Sequence, residues 1–277
     1  MKKILLPTDF TPVADYALKY AANLASMFDA EIIALYMIKR EDAFLSRKEA
    51  MELYENIDYH KRINESFDKF LDKDFLSGIK VKTEIRRQVE FDKIGALSDI
   101  LDFDAIVMGT HGAHGLEGMF IGSNAEKVVR SAGVPVFVVK KTQPYFNLKK
   151  VIMACDLNTD MIPAFKKADE FLKDHSLHYD LIYVNTPEDF MSTGLMENDV
   201  DKFFEEQGMK RDEFKNKIVF YNDFNIEAGI YNYAEKVKAD LIVMPTHGRK
   251  GLSRIIFNSL GEKMANHSDI PVLTVKA

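Results

Sequence analysis

Short apolar runs alternate with stretches of helical periodicity along the first half of the chain. Residues 3–8 are too few for a helix and predict a buried strand, as do residues 31–38. Between them, Thr11 followed by Pro12 is typical of a helix start. The apolar positions that follow at helical spacing are Ala14, Ala17, Leu18, Ala21, Leu24, Ala25 and Phe28. This stretch therefore predicts an amphipathic helix.

The remaining pattern of the first half predicts three more strands. The charged segment 41–76 indicates one or two helices on the rim. The further predicted strands are 79–87, 105–108 and 134–139, and the further predicted helices are 91–101 and 123–131. Strands that alternate with helices imply right-handed crossovers and a parallel sheet covered on both faces. The first half is therefore expected to be a five-stranded α/β domain.

The second half repeats the first. Residues 2–9 (KKILLPTD) match residues 149–156 (KKVIMACD), and residues 104–112 (DAIVMGTHG) match residues 240–248 (DLIVMPTHG). Residues 134–139 (VPVFVV) match 270–275 (IPVLTV). A short segment that contains Pro144 separates the halves, so we predict two domains, residues 1–143 and 147–277.

Composition and charge narrow the classes of function. The chain of 277 residues is 47% hydrophobic and carries a net charge of −6, which disfavours nucleic acid or an anionic membrane as the main partner. Its single cysteine, Cys155, cannot form an internal disulfide and suits a reducing compartment. The first apolar run is too short for a signal peptide, and no run of 18 apolar residues could span a bilayer. We therefore expect a cytoplasmic protein.

A candidate phosphate site follows the first and fourth strands. Ligands of open α/β sheets bind beyond the carboxyl ends of the strands. Asp9 follows the first strand, and the segment from Gly109 to Gly122 after the fourth contains five glycines, the two end residues included. Glycines let the backbone approach an anion, and a helix that starts at Ser123 offers free N–H groups. A phosphate cradle with Asp9 facing a base or sugar is one interpretation; a tight structural turn is the other.

The first half resembles the universal stress protein family at two places. One is the family's C-terminal signature, Gly-x-x-Gly, nine residues, then Gly-Ser/Thr, which here reads MGTHGAHGLEGMFIGSNAEKVVRSAGVPVFVV. The other is the first strand and helix, ILLPTDFTPVADYALKYAANLA. The resemblance implies two tandem Rossmann-like (adenine nucleotide alpha hydrolase-like) domains, each a parallel sheet of order 3-2-1-4-5. It also implies that the two last strands pair within the chain, while a homodimer of chains stays open.

The same resemblance implies ATP, with or without Mg²⁺, as the ligand of the first domain, and at most slow hydrolysis. No catalytic residue is assigned. The binding residues that the family's pattern implies are Pro7, Thr8, Asp9, Met37, Gly109, Gly112, Gly122, Ser123 and Asn124. In the second half Pro245 and Asn258 replace two motif glycines, which predicts a degenerate site there.

Three function hypotheses remain open at the level of sequence. The leading one is a nucleotide-binding stress or signalling module with an unidentified protein partner. The second is a nucleotide-independent interaction protein whose glycine loops are structural. An ATP-using enzyme of the same superfold would need a Ser-Gly-Gly loop after the first strand, which is missing here. His111, His114 and His247 lack partners at metal-ligand spacing, so no metal site is predicted, and Cys155 is expected to be a core residue.

Overall fold

The computed structural model describes residues 1–38, 57–87, 89–110, 123–141, 146–206, 208, 217–246 and 269–277, with side chains left out at 57–59, 99 and 123. In the first half the elements are β1 (Lys3–Thr8), α1 (Pro12–Phe28), β2 (Glu31–Ile38), α2 (Ile57–Leu71), β3 (Val81–Arg87), α3 (Ser98–Leu101), β4 (Ala105–Gly109), α4 (Ser123–Ser131) and β5 (Val136–Val139). In the second half they are β6 (Val151–Ala154), α5 (Ile162–Asp174), β7 (Tyr179–Asn185), α6 (Thr193–Glu205), β8 (Ile218–Asn222), α7 (Ile226–Val237), β9 (Leu241–Thr246) and β10 (Val272–Lys276).

All ten strands form one continuous sheet of order β3-β2-β1-β4-β5-β10-β9-β6-β7-β8. Each half has the order 3-2-1-4-5 and is parallel throughout, which confirms the predicted fold. The halves meet where β5 pairs antiparallel with β10, with Phe137 opposite Leu273. The predicted pairing of the last strands within the chain is therefore confirmed, and each strand covers an edge that would otherwise favour aggregation.

Two repeated aspartates, each just before β4 or β9, form hydrogen bonds to the neighbouring strand. They link β4 to β1 and β9 to β6. The carboxylate of Asp104 accepts a hydrogen bond from the backbone N–H of Lys3 at 2.9 Å. Asp240 accepts one from the backbone N–H of Lys150 at 2.8 Å. The sequence repeat thus reproduces a structural contact as well as a fold.

Two apolar cores cover the two faces of the sheet and run through both halves. One includes α1 and α5 and surrounds the β5–β10 junction through Phe137 and Leu273. The other includes α4 and α7 together with Ile106 and Ile242. Because each core contains side chains from both domains, the junction is packed like a domain interior.

Most of the predicted elements are present, with one correction. Thr11 caps α1, because its side chain accepts a hydrogen bond from the Ala14 N–H, and Pro12 is the first helical residue. The helix expected over residues 91–101 is instead a 3₁₀-helix over Phe91–Leu97 followed by the single turn of α3. Gly95 lies so close to the end of α4 that an added Cβ would be 3.0 Å from Ala132 Cα. Glycine's low helix propensity and this tight contact together disfavour a regular α-helix there. The domain boundaries stay a prediction, since residues 142–145 lie outside the described part.

Candidate functional site

A cavity of about 200 Å³ lies where β1 and β4 end side by side. The two strands are direct neighbours, with Ile4 paired to Ala105, so the residues after each strand meet at the same edge of the sheet. The starts of α1 and α4 form the other walls. The described lining residues are Pro7, Thr8, Asp9, Thr11, Val13, Ala14, Phe91, Met108, Gly109, Thr110, Asn124 and Ala125.

The structure brings five of the nine predicted site residues to this cavity. They are Pro7, Thr8, Asp9, Gly109 and Asn124. Met37 is instead buried in the core beside β1 and is not among the lining residues. Ser123 begins α4, with its side chain outside the described residues, as are Gly112 and Gly122.

Asp9 sits in a tight turn between β1 and α1. Its Oδ1 accepts hydrogen bonds from the Thr11 hydroxyl at 2.6 Å and from the Thr11 N–H at 3.2 Å. The buried Thr8 hydroxyl accepts a bond from the N–H of Phe10 at 3.0 Å. Because Thr11 is also the cap of α1, the position of the Asp9 carboxylate is tied to the start of that helix.

An aromatic cluster around the Phe10 ring packs against the same turn. Phe10 has a φ of 62°, a conformation that few non-glycine residues adopt. Its ring stacks on Tyr36 with centroids 5.0 Å apart and meets the edge of Phe67 at the same distance. Aromatic packing of this kind offsets the local strain. The Asp9 turn is therefore preorganised by the fold.

Gly109 is required by packing in this structure. It lies at the end of β4 without the positive φ that glycine loops often need. A Cβ there would lie 2.5 Å from the Val13 carbonyl oxygen and 2.8 Å from Val13 Cγ1. Glycine thus allows the start of α1 to approach β4, which narrows the cavity on that side.

The first turn of α4 faces the cavity through Asn124 and Ala125. The first N–H groups of a helix have no partners within the helix and carry the positive end of its dipole. Asp9 is the one charged side chain among the described lining residues. The arrangement can therefore accept hydrogen bonds from a sugar or base at Asp9 and donate them to an anion at α4.

The second domain keeps the acidic turn and loses the glycine packing. Asp156 accepts a hydrogen bond from the N–H of Asn158 at 3.0 Å, as Asp9 does from Thr11. Pro245 occupies the position of Gly109, and the helix that faces it is preceded by a 3₁₀ turn over Thr159–Met161. The space beside Pro245 is about 10 Å³, and a separate cavity of about 170 Å³ lies between β6 and β7.

Phe91 and Val13 are two of the seven described lining residues that sequence reasoning did not predict. Val13 could have been found, because it follows the helix cap that contains Thr11. Phe91 carries no such signal, since its position depends on how the segment after β3 returns to the sheet.

Other candidate chemistry is absent from the described residues. They contain no group of three or more His, Cys, Asp or Glu side chains that could hold a metal ion. The three histidines considered as ligands lie outside them. Cys155 is buried, and burial raises the pKa of its thiol to about 12, which agrees with a core role.

No helix in the described ranges has the length and apolar character needed to cross a membrane.

Fold and site together define a tandem pair of Rossmann-like domains with a crevice at the carboxyl ends of the first domain's central strands. The family model described as "Universal stress protein family" matches residues 1–140 and again residues 147–276. The chain therefore belongs to the universal stress protein family, as a tandem two-domain member.

Relatives agree with this assignment. A universal stress protein of Methanocaldococcus jannaschii is 36% identical over 141 residues, which cover 50% of this chain and 82% of that protein. One of Synechocystis is 26% identical over the full length of both chains. The crystal structure of a universal stress protein from Archaeoglobus fulgidus matches with a TM-score of 0.66 at 20% identity, covering 99% of this chain and 96% of that one. The last similarity shows the two-domain fold.

Proposed function

We propose that the first domain binds an adenine nucleotide, with ATP as the ligand, and that the protein is a cytoplasmic stress-response or signalling module. The observation that carries the proposal is that Asp9 and the first turn of α4 line the same cavity. A carboxylate that accepts hydrogen bonds suits a ribose or base, and a helix N-terminus suits phosphate. The same cavity thus offers complementary groups to the two ends of a nucleotide.

The connectivity of the chain supports the proposed binding of the phosphates near α4. Thr110 and Asn124 both line the cavity, and the glycine-rich segment between them is covalently bound to each. The described residues that flank this segment therefore lie at the cavity. Its glycines would supply further backbone N–H groups for the phosphates, with or without Mg²⁺.

We also propose that catalysis is not the main role of this site. The described lining residues include one carboxylate and no histidine, cysteine or lysine. General acid–base or nucleophilic catalysis normally needs a second titratable group within hydrogen-bond distance of the first. Slow hydrolysis by an ordered water remains compatible with the site.

Calorimetry with ATP on matched variants tests the proposal. Asp9→Ala should weaken binding about tenfold or more, because a hydrogen bond to a charged group contributes about 1.5–3 kcal/mol. Asp156→Ala removes the equivalent turn carboxylate of the second domain and should leave the affinity unchanged. Equal effects of the two substitutions would contradict the assignment of the site to the first domain.

A nucleotide-independent interaction module is the second candidate, and Gly109 favours it. The contact with Val13 explains that glycine without any ligand. Mass spectrometry of small molecules released from the purified protein separates the two candidates. Release of an adenine nucleotide supports the first, whereas an empty protein that also gives no heat with ATP supports the second.

A further inference from the structure

A further crevice lies at the outer end of the second domain, away from the proposed nucleotide site. It follows β7 and β8 and has a volume of about 540 Å³, within the range of small-molecule sites. We call it the β7–β8 crevice, and its described lining residues are Asn185, Thr186, Pro187, Phe190, Asn222, Asp223 and Phe224. Thr186 also lines the 170 Å³ cavity between β6 and β7, so the two spaces adjoin.

Two phenylalanine rings project into solvent at this crevice. The exposed fraction is 71% for Phe190 and 86% for Phe224. Large apolar side chains that share one cavity and remain this exposed are typical of binding surfaces. Their faces are available for a flat ring or for a cation, which aromatic faces attract.

The loop that carries Phe190 is held in place by a buried amide. Asn185 is 3% exposed, and its Oδ1 accepts a hydrogen bond from the Met191 N–H at 2.9 Å. Its Nδ2 donates to the Met191 carbonyl at 3.2 Å and to Asn222 Oδ1 at 3.1 Å. These bonds close the loop against the ends of β7 and β8. The crevice is therefore preorganised, which lowers the entropic cost of binding.

The charges around the crevice are negative. Asp223 forms part of its wall, and Asp156 and Asp189 line the adjoining cavity. No lysine or arginine occurs among the described lining residues of either space. Asp223 accepts hydrogen bonds from two neutral donors, the Phe224 N–H at 2.7 Å and the Asn232 side chain at 2.9 Å, and forms no ion pair with the described residues.

Neighbouring groups add to the negative electrostatic potential at the crevice. Burial raises the pKa of Tyr183, and the carboxylates of Asp199, Asp189 and Asp156 raise it further. The nearby start of α7 is less favourable for an anion, because the Asn225 side chain already accepts the Ala228 N–H at 2.8 Å and Glu227 lies in the first turn. A phosphate is thus disfavoured here, in contrast to the first domain.

We propose that the β7–β8 crevice binds a small organic cation with a flat apolar body, whose ring contacts Phe190 and Phe224 and whose charge faces Asp223. Exposed aromatic faces, the Asp223 carboxylate and a volume of small-molecule size jointly select this class of ligand. The site is independent of ATP binding in the first domain.

Fluorescence titration with proflavine, a flat cationic dye, tests the proposal on the full chain. We expect saturable binding at one site per chain that weakens with added salt and persists at saturating ATP. Phe224→Ala should weaken it about tenfold. Phe75→Ala removes a phenylalanine that is 37% exposed in the first domain and should have no effect.

Charge variants complete the test. Asp223→Asn should weaken proflavine binding severalfold. Asp189 lines the adjoining cavity, so Asp189→Asn should have a smaller effect in the same direction. Anilinonaphthalene sulfonate, an anionic dye with an aromatic body, should bind poorly to the unmodified protein. Equal binding of both dyes, or proflavine affinity unchanged by Phe224→Ala and Asp223→Asn, would overturn the proposal.

Discussion

The Val13 carbonyl oxygen lies where a side chain on Gly109 would have to be, 2.5 Å from the ideal Cβ position. The contact joins the start of α1 to the end of β4, the two elements that narrow the first-domain cavity. Gly109 also belongs to the glycine motif on which nucleotide binding is proposed. Its contribution to folding and its contribution to ligand binding can be separated by experiment.

Gly109→Ala should destabilise the protein by about 1–3 kcal/mol, because backbone must move to admit the methyl group. The control is Gly133→Ala, where an added Cβ meets nothing within 4 Å. That change should be neutral or slightly stabilising, since alanine restricts the unfolded chain. Urea unfolding measures both free energies. If Gly109→Ala abolished ATP binding and left the stability unchanged, the role of Gly109 would be to let a phosphate approach the backbone.

ATP should bind at about one site per chain. The reason is the asymmetry of the motif, in which Gly122 is kept in the first half while Asn258 replaces its counterpart. Gly122→Asn should weaken binding by a factor on the order of a hundred, as expected for the loss of two charge-assisted N–H contacts. Asn258→Ala should change it little. Calorimetry that finds two equal sites would contradict this prediction.

Phe137→Ala should destabilise both halves together. Phe137 is 1% exposed beside the β5–β10 junction, and its ring lies 5.9 Å from that of Tyr20 and 6.3 Å from that of Phe171. Loss of a buried phenylalanine costs about 3–5 kcal/mol. Urea unfolding should show the loss in one shared transition. A shift confined to one of two separate transitions would mean that the halves unfold independently.

Glu31→Gln should lower stability at neutral pH and have no effect in acid. Glu31 forms ion pairs with Lys80 at 2.8 Å and Lys82 at 2.7 Å, and these lysines hold the pKa of its carboxyl below the ordinary value. The folded protein therefore binds fewer protons here than the unfolded chain, so the stabilisation is present above the ordinary carboxyl pKa. It disappears as the pH falls through the lowered pKa.

The size of the Glu31 effect is limited by solvent. Both lysine side chains are more than half exposed, so the two pairs together should contribute about 1 kcal/mol. Unfolding free energies of the two proteins, measured from pH 7 downward, should converge below a pH of about 4. A difference that grew in acid would show that the lysines do not stabilise the charged carboxylate.

Local sequence signals predicted the elements whose causes are local. The bounds of β1, β2 and α4 agree with the apolar pattern, and the Thr11–Pro12 pair located the start of α1. The repeat and the family resemblance predicted the strand order and the β5–β10 pairing.

The features that the sequence did not reveal depend on contacts between distant residues. The 3₁₀-helix at Phe91–Leu97 packs through Gly95 against the end of α4, which no local pattern reveals. Met37 occupies the motif position expected of a binding residue, but it packs in the core while Phe91 lines the cavity. The β7–β8 crevice likewise depends on the Asn185 bonds that join β7, β8 and the loop between β7 and α6.

The antiparallel β5–β10 contact lies within a single polypeptide, so dilution cannot separate the two halves as it separates the subunits of an ordinary dimer. Every first domain is consequently paired with one second domain, whose sequence differs from its own. Substitutions such as Pro245 could therefore accumulate in one half while the other half kept its glycine. Covalent linkage thus lets one half diverge without breaking up the pair.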